Sequence, residues 1–322
     1  MRKALFAIIL TSLPLAPFAA GQTASTSLPA PVAPINFQAV STSEIFVLGV
    51  DGSLWLDVAP WGNIPPNQTQ VDANVMSFQA LSDAEALVLG TDGNLWLEQG
   101  PWGATPPNRL PVDGNVKSFQ PLSDAEVLVL GTDGKLWIEQ GPWGAVPPNR
   151  VQVDGNVQSF QALSDSNVFV LGTDGKLWLE MAPFGHAPPG RNQVDGNVKS
   201  FQPLSTTQVY VLGSDGKLWL ENAPFGKAPP ARAQVDGSVL GFQMLSATEV
   251  YVLGTNGNLW FEQGPFGHVP PPRTQVDGNV QSFQAVSTTE ILVLGSDGSL
   301  WLDEGPWGTV PPTRQQVDAN IV

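Results

Sequence analysis

The stretch "LGTDGKLWIEQGPWG", residues 130–144, decides the architecture. Its first residues end the apolar run "EVLVLG", rich in β-branched and aliphatic side chains, which reads as a strand. Asp133-Gly134 then reads as the centre of a type I′ hairpin turn, where Gly adopts positive φ freely and Asp tolerates it. "LWIE" is a second short strand running back, and "GPWGAVPP" is a loop, because its prolines suit neither helix nor central strand. Working outward, "KSFQPL" supplies a strand before this hairpin and "NRVQVD" one after it.

Near-copies of this unit fill the chain. The Trp of the "LW" pair stands at Trp55, Trp96, Trp137, Trp178, Trp219, Trp260 and Trp301, always 41 residues apart. The "FQ" pair keeps that period from Phe37-Gln38 to Phe283-Gln284, and the "VD" pair from Asp72 to Asp318, without insertions. Four antiparallel strands in about 40–45 residues is the unit of a β-propeller blade. Blades pack face to face, so both faces of each sheet are buried, which accounts for apolar runs that do not alternate with polar residues. The expected fold is therefore all-β, a seven-bladed β-propeller over residues 35–322 with four antiparallel strands in each 41-residue blade. A β-solenoid is the alternative, but a tight Asp-Gly hairpin in every unit favours antiparallel sheets. The opening "INFQAV" and closing "VDANIV" together rebuild the internal "VDGNVKSFQ", so the two ends are expected to meet and seal the ring.

The chain has 322 residues, 13% of them charged, and a net charge of -15 with only 14 Lys plus Arg. Such a balance gives no electrostatic drive toward a phosphate backbone, so nucleic acid is excluded as an expected partner. The start, "MRKALFAIILTSLPLAPFAAGQ", reads as a secretory signal over residues 1–21. It has a basic pair, an apolar run too short to span a bilayer, and small residues before Gln22. Residues 22–34 are small, polar and Pro-rich and read as a flexible linker. A secreted or periplasmic protein without membrane insertion is expected. Cysteine is absent, so the fold has to hold without disulfides.

The block "EVLVLGTDGKLW", residues 126–137, with the later "VDGNV", residues 153–157, resembles the repeat of tectonin-like β-propeller lectins, including secreted bacterial seven-bladed ones. The resemblance runs through all seven repeats and rests on the strand ending in Gly-Thr-Asp, the Leu-Trp strand and the Gly-rich turn. It implies a multivalent lectin whose partners are glycans or glycoconjugates on a surface. Where such lectins carry another aromatic before the outer strand, this chain has "PPNR", residues 147–150.

Catalysis requires asymmetry, and the repeats offer little. The only histidines, His186 and His268, share a repeat position that is filled elsewhere by Asn63, Ala104, Ala145, Lys227 and Thr309. No catalytic residue, and hence no enzyme, is expected. Each Asp-Gly turn has one acid, unlike the alternating ligands of a calcium loop, so neither metal nor cofactor is expected.

Three recurring series remain as candidate ligand-binding residues. Asp57, Glu98, Glu139, Glu180, Glu221, Glu262 and Asp303 end the third strand. Arg109, Arg150, Arg191, Arg232, Arg273 and Arg314 follow eleven residues later, while the first repeat has Gln68. These read either as a carboxylate–guanidinium pair bridging the third and fourth strands of one blade, or as polar groups offered to ligand hydroxyls. The loop aromatics Trp61, Trp102, Trp143, Phe184, Phe225, Phe266 and Trp307 form the third series. Each is either a local plug or a flat platform for sugar C–H groups. The "LW" tryptophans themselves read as core between blades. A non-catalytic structural or protein-interaction ring is the alternative function.

Overall fold

A computed structural model describes residues 37–318 apart from Thr42, Val50, Ile64, Pro65 and Asp124. The expected signal and linker, residues 1–34, lie outside the described residues, as does the terminal segment 319–322. Among the described residues, twenty-eight strands form seven four-stranded sheets, each made of strands consecutive in sequence and paired antiparallel to their neighbours. The fold is a seven-bladed β-propeller. In blade 3 the strands are Val116–Ser123, Glu126–Gly131, Leu136–Gln140 and Asn149–Asp154.

Neighbouring residues of the second strand serve two different cores. Val127 and Val129 pack with Leu87, Leu89 and Leu95 of blade 2, while Leu128 and Leu130 pack with Val157, Phe160 and Val168 of blade 4. Every apolar cluster therefore lies between two blades, and the second strand of each sheet is buried on both faces. The same principle closes the ring. Phe37, Ile45 and Val47 of blade 1 pack with Leu292, Leu294 and Leu300 of blade 7. No strand is exchanged across this seam, because the first and last sheets are each complete in themselves.

The hairpin differs from the type I′ turn read from the sequence. Gly134 has φ 77°, but Asp133 is not among the positive-φ residues. Gly134 N–H donates to Gly131 O at 3.0 Å, and Gly131 N–H donates to Lys135 O at 2.9 Å. The loop thus has three residues, a type I turn followed by one left-handed glycine. Asp133 selects it by accepting Lys135 N–H through Oδ1 at 3.0 Å, an Asx-type bond that favours right-handed backbone at the Asp. The same carboxylate fixes the glycine before the turn, since a Cβ on Gly131 would lie 2.8 Å from Asp133 Oδ1.

Polar staples hold the blades at fixed separation. Gln120 of blade 3 donates to Ala162 O at 3.1 Å and accepts from Ala162 N–H at 2.9 Å in blade 4. Gln38 makes the same pair of bonds to Ala80. Much of the "FQ" signature is thereby accounted for as ring assembly.

Candidate functional site

Trp137 and Glu139 project from one face of the third strand toward blade 2, while Leu136 and Ile138 project from the other into the core shared with blade 4. Arg150 stands directly opposite Glu139 on the fourth strand. Its guanidinium carbon lies 4.4 Å from the centroid of the Trp137 ring, within cation–π range. Its Nη1 is 3.4 Å from Glu139 Oε1 and 3.3 Å from Asp113 Oδ2 of blade 2. The intra-blade pair read from the sequence is present, but the guanidinium also reaches across to the preceding blade. Arg109, Arg191, Arg232, Arg273 and Arg314 repeat the arrangement, with guanidinium carbons 4.1–4.7 Å from their Trp rings.

The "LW" tryptophans are therefore not interior core. Each is half-buried, with one ring face covered by its Arg in blades 2–7. The strand's alternation explains this, because the Trp shares a face with the acid rather than with the two aliphatic residues flanking it.

The acids are fully buried, with Glu98, Glu139, Glu180, Glu221 and Glu262 at 0% exposure. Burial, together with a hydrogen bond and charge repulsion from Asp113, pushes Glu139 up to about 8. The same causes push Glu98, Glu180, Glu221 and Glu262 up to about 9. At neutral pH each Glu thus keeps a proton, donates it to the neighbouring Asp, and leaves one carboxylate and one guanidinium as a neutral set. The raised value follows first from burial between the blades, where the carboxyl has no exposure to solvent. The acids do not line an accessible surface, and of the expected pair only the Arg reaches one.

The loop aromatics are placed as plugs. All seven are half-buried. Trp143 packs on the cluster between blades 2 and 3, and Phe184 on that between blades 3 and 4. Trp102 meets Phe46 edge-on at 6.1 Å and 88°, and Phe225 meets Phe169 at 6.3 Å and 84°. Trp61, Phe266 and Trp307 pack on their clusters in the same way. Trp102 Nε1 donates to Asp83 O at 2.7 Å, which ties the indole to its own blade. The loop also reaches the preceding blade, with Gly144 N–H donating to Pro111 O at 2.9 Å.

Open space remains in the wedge outside the Trp–Arg stack. Between blades 3 and 4 a cleft of about 420 Å³ is lined by Asn156, Thr173, Lys176, Trp178, Pro188 and Arg191, with Asp154 and Asp174 beside them. Asn156 is held at φ 57° in the link between blades, and its carbonyl accepts Thr173 N–H at 2.9 Å, so one wall of the cleft is rigid. Sequence reasoning missed the Asp of "VD" as a site residue. The signal was present as an acid recurring 37 residues before each Arg.

The comparisons bear on fold alone. No family model matches the chain, and no curated protein sequence matches it. Solved structures do. The WD40 β-propeller domain of Doa1 is similar at a TM-score of 0.57 and 15% identity, over 82% of this chain and 89% of that one. The computationally designed Ika8 protein is similar at 0.55 and 15% identity, covering 83% and 82% of the two chains. Kluyvelomyces marxianus Hsv2 is similar at 0.54 and 12% identity, covering 88% and 98%. Among the described residues no helix is long and apolar enough to cross a membrane, and no group of His, Cys, Asp or Glu is arranged to hold a metal ion.

Proposed function

We propose that the chain is a secreted, multivalent carbohydrate-binding protein whose ligands sit in the clefts between blades. The observation that carries this reading is the polar, open cleft between blades 3 and 4, whose lining residue types recur at the corresponding positions of the other repeats. Its lining offers what a hydroxyl-rich ligand needs: carboxylate and carbonyl acceptors, Arg, Lys and Asn donors, and the flat edges of Trp178 and Pro188 for C–H groups. The lining of this cleft includes the Arg, the "LW" Trp and the link between blades, and not the loop aromatic.

Each cleft is shallow, so a single site would bind weakly and useful strength would come from several sites engaging one glycan-coated surface. Near-equivalence of the repeats suits that purpose and opposes catalysis, since the histidines stand on exposed loop positions and the buried acids are shielded. A protein-interaction ring is the second reading. The exposed apolar residues Val146, Val269 and Val310 on the loops favour it, because all three share one repeat position.

A glycan array probed with purified protein separates the two. Binding is expected, and it should fall when Val146, Ala187, Ala228 and Val269 are all changed to Tyr, which fills the clefts from exposed loop positions while sparing the core. A silent array favours the protein-interaction ring.

A further inference from the structure

Lysine breaks the symmetry of the repeats. The six lysines that follow Lys3 are Lys117, Lys135, Lys176, Lys199, Lys217 and Lys227, all within blades 3–5. These blades, residues 116–238, carry 9 Lys and Arg against 12 Asp and Glu, while residues 35–115 and 239–322 together carry 3 against 17. Burial first pushes Glu139, Glu180 and Glu221 up to about 8, 9 and 9, so all three are protonated at pH 7. The arc is then left with nine charged acids against its nine bases. At physiological salt, exposed charges more than about 8 Å apart are largely screened, so the acids of the opposite blades do not decide what the arc accepts.

Five of the six lysines gather at one end of the ring. Val157 N–H donates to Gly134 O at 2.9 Å and Val198 N–H to Gly175 O at 3.0 Å. The hairpin between strands two and three thus lies beside the start of the next blade's first strand. Lys135, Lys176 and Lys217 stand on these hairpins, and Lys117 and Lys199 are the second residues of first strands.

The hairpin lysines are loosely held. Their Nζ atoms lie 2.8, 2.7 and 2.9 Å from Oδ2 of Asp133, Asp174 and Asp215, with both partners of each pair about half exposed. Such pairs add little to stability, so the ammonium can turn to another anion. The turn itself requires the Asp, whose Oδ1 accepts the backbone N–H two residues on. It does so equally where Ser53, Asn94 or Ser299 replaces the lysine. The turn therefore accounts for the Asp and not for the Lys. Lys176 lines the cleft between blades 3 and 4 beside Asn156, Thr173 and Trp178. Arg191 is engaged there, its Nη1 3.1 Å from Asp154 and 3.5 Å from Glu180, which leaves Lys176 as the lining cation with freedom to pair with a ligand.

We propose that the ligand is an acidic glycan bearing uronic-acid carboxylates, bound on the arc of blades 3–5 with its carboxylates taken up by Lys135, Lys176 and Lys217. In the cleft between blades 3 and 4 a sugar ring lies against Trp178 and Pro188, with Asn156 and Thr173 within the same lining for its hydroxyls. This inference rests on the carbohydrate reading and names the ligand class for it.

The test is a calorimetric titration of the purified full chain with trigalacturonic acid and with its trimethyl ester, which keeps the sugar rings and removes the charge. The acid is expected to bind about tenfold more tightly at low salt, with the margin shrinking as ionic strength rises. Changing Lys135, Lys176 and Lys217 together to Gln should erase the margin and leave the melting temperature unchanged, since all three side chains are exposed. Asn94→Lys in blade 2 should raise the amount of acid bound. Equal binding of acid and ester overturns this proposal and leaves the carbohydrate reading standing. A margin that survives the triple substitution overturns it as well. So does a single-stranded DNA trinucleotide that binds as tightly as the acid, because charge alone is then being read. Binding of neither compound by a chain that binds neutral glycans on the array overturns the acidic assignment alone, whereas silence toward every sugar removes the carbohydrate reading with it.

Discussion

Replacing Arg232 by Gln copies the blade 1 arrangement into blade 5 and measures what the wedge cation contributes. Arg232 Nη1 lies 3.2 Å from Asp195 Oδ2 and 3.4 Å from Glu221 Oε1, and its guanidinium carbon is 4.1 Å from the Trp219 ring. Losing the stack alone costs about 0.5–2 kcal/mol. Removing one partner of a fully buried ion pair costs about 3–5 kcal/mol, because a charge is left uncompensated. Here the cost is smaller for two reasons. Glu221, pushed up to about 9 by burial and by its hydrogen bond to Asp195, is already protonated at pH 7. Asp195 also keeps a bond from Gly196 N–H at 2.8 Å. With Arg232 itself 29% exposed, the net loss expected is about 2–3 kcal/mol. Arg232→Lys keeps the charge but not the planar stack, so it should recover about half of that. Urea denaturation at pH 7 reads both as shifts in midpoint. A loss below about 0.5 kcal/mol for Arg232→Gln, or a gain in stability, would refute the view that the wedge cation helps hold adjacent blades together.

Three further outcomes are expected. The buried acids make stability depend on pH: Glu98, Glu180, Glu221 and Glu262 lie at about 9, Glu139 at about 8, and Asp57 and Asp303 at about 7. These values exceed those of the unfolded chain, about 4, so the stabilisation is complete below pH 4 and is lost as pH rises toward 9. One pKa unit is worth about 1.4 kcal/mol, so urea midpoints should be clearly higher at pH 5 than at pH 9, and the reverse order would contradict the assignment. Phe225→Ala removes a half-buried plug resting on Phe169 and should cost about 2 kcal/mol in denaturant, while glycan-array signals stay unchanged. Gln120→Leu leaves the Ala162 N–H and C=O without their partner in a buried strand, and should lower stability by about 2–3 kcal/mol in the same assay.

The architecture was legible because it rests on features that repeat. The unbroken period of the "LW" Trp, the apolar second strand and the hairpin glycine together imply blades buried on both faces, and the strands expected around residues 116–154 fall within a residue or two of those observed. The turn was misread because Asp-Gly fits two hairpin geometries, and the choice lies in a bond from Asp133 to the backbone of Lys135. The site was less legible because its parts come from two blades. Arg150 and Glu139 are paired within one blade, and their recurrence at a fixed offset made that pairing readable. Asp113 lies in the preceding blade, and only the closed ring brings it to the guanidinium. Trp137 looked like core because its neighbours Leu136 and Ile138 are core, although it shares its face with Glu139. Whether Trp143 was plug or platform depended on what lay beneath the loop, which no local pattern reveals.

The most direct test of the repeated-cleft account counts ligands. Native mass spectrometry of the purified chain, titrated with the glycan that binds best on the array, reads the number of bound molecules per ring. Several ligands per chain are expected, adding in successive steps of similar affinity. Saturation at a single bound glycan would contradict the account, because it would place recognition in one unique site and leave the repeated wedges as architecture alone.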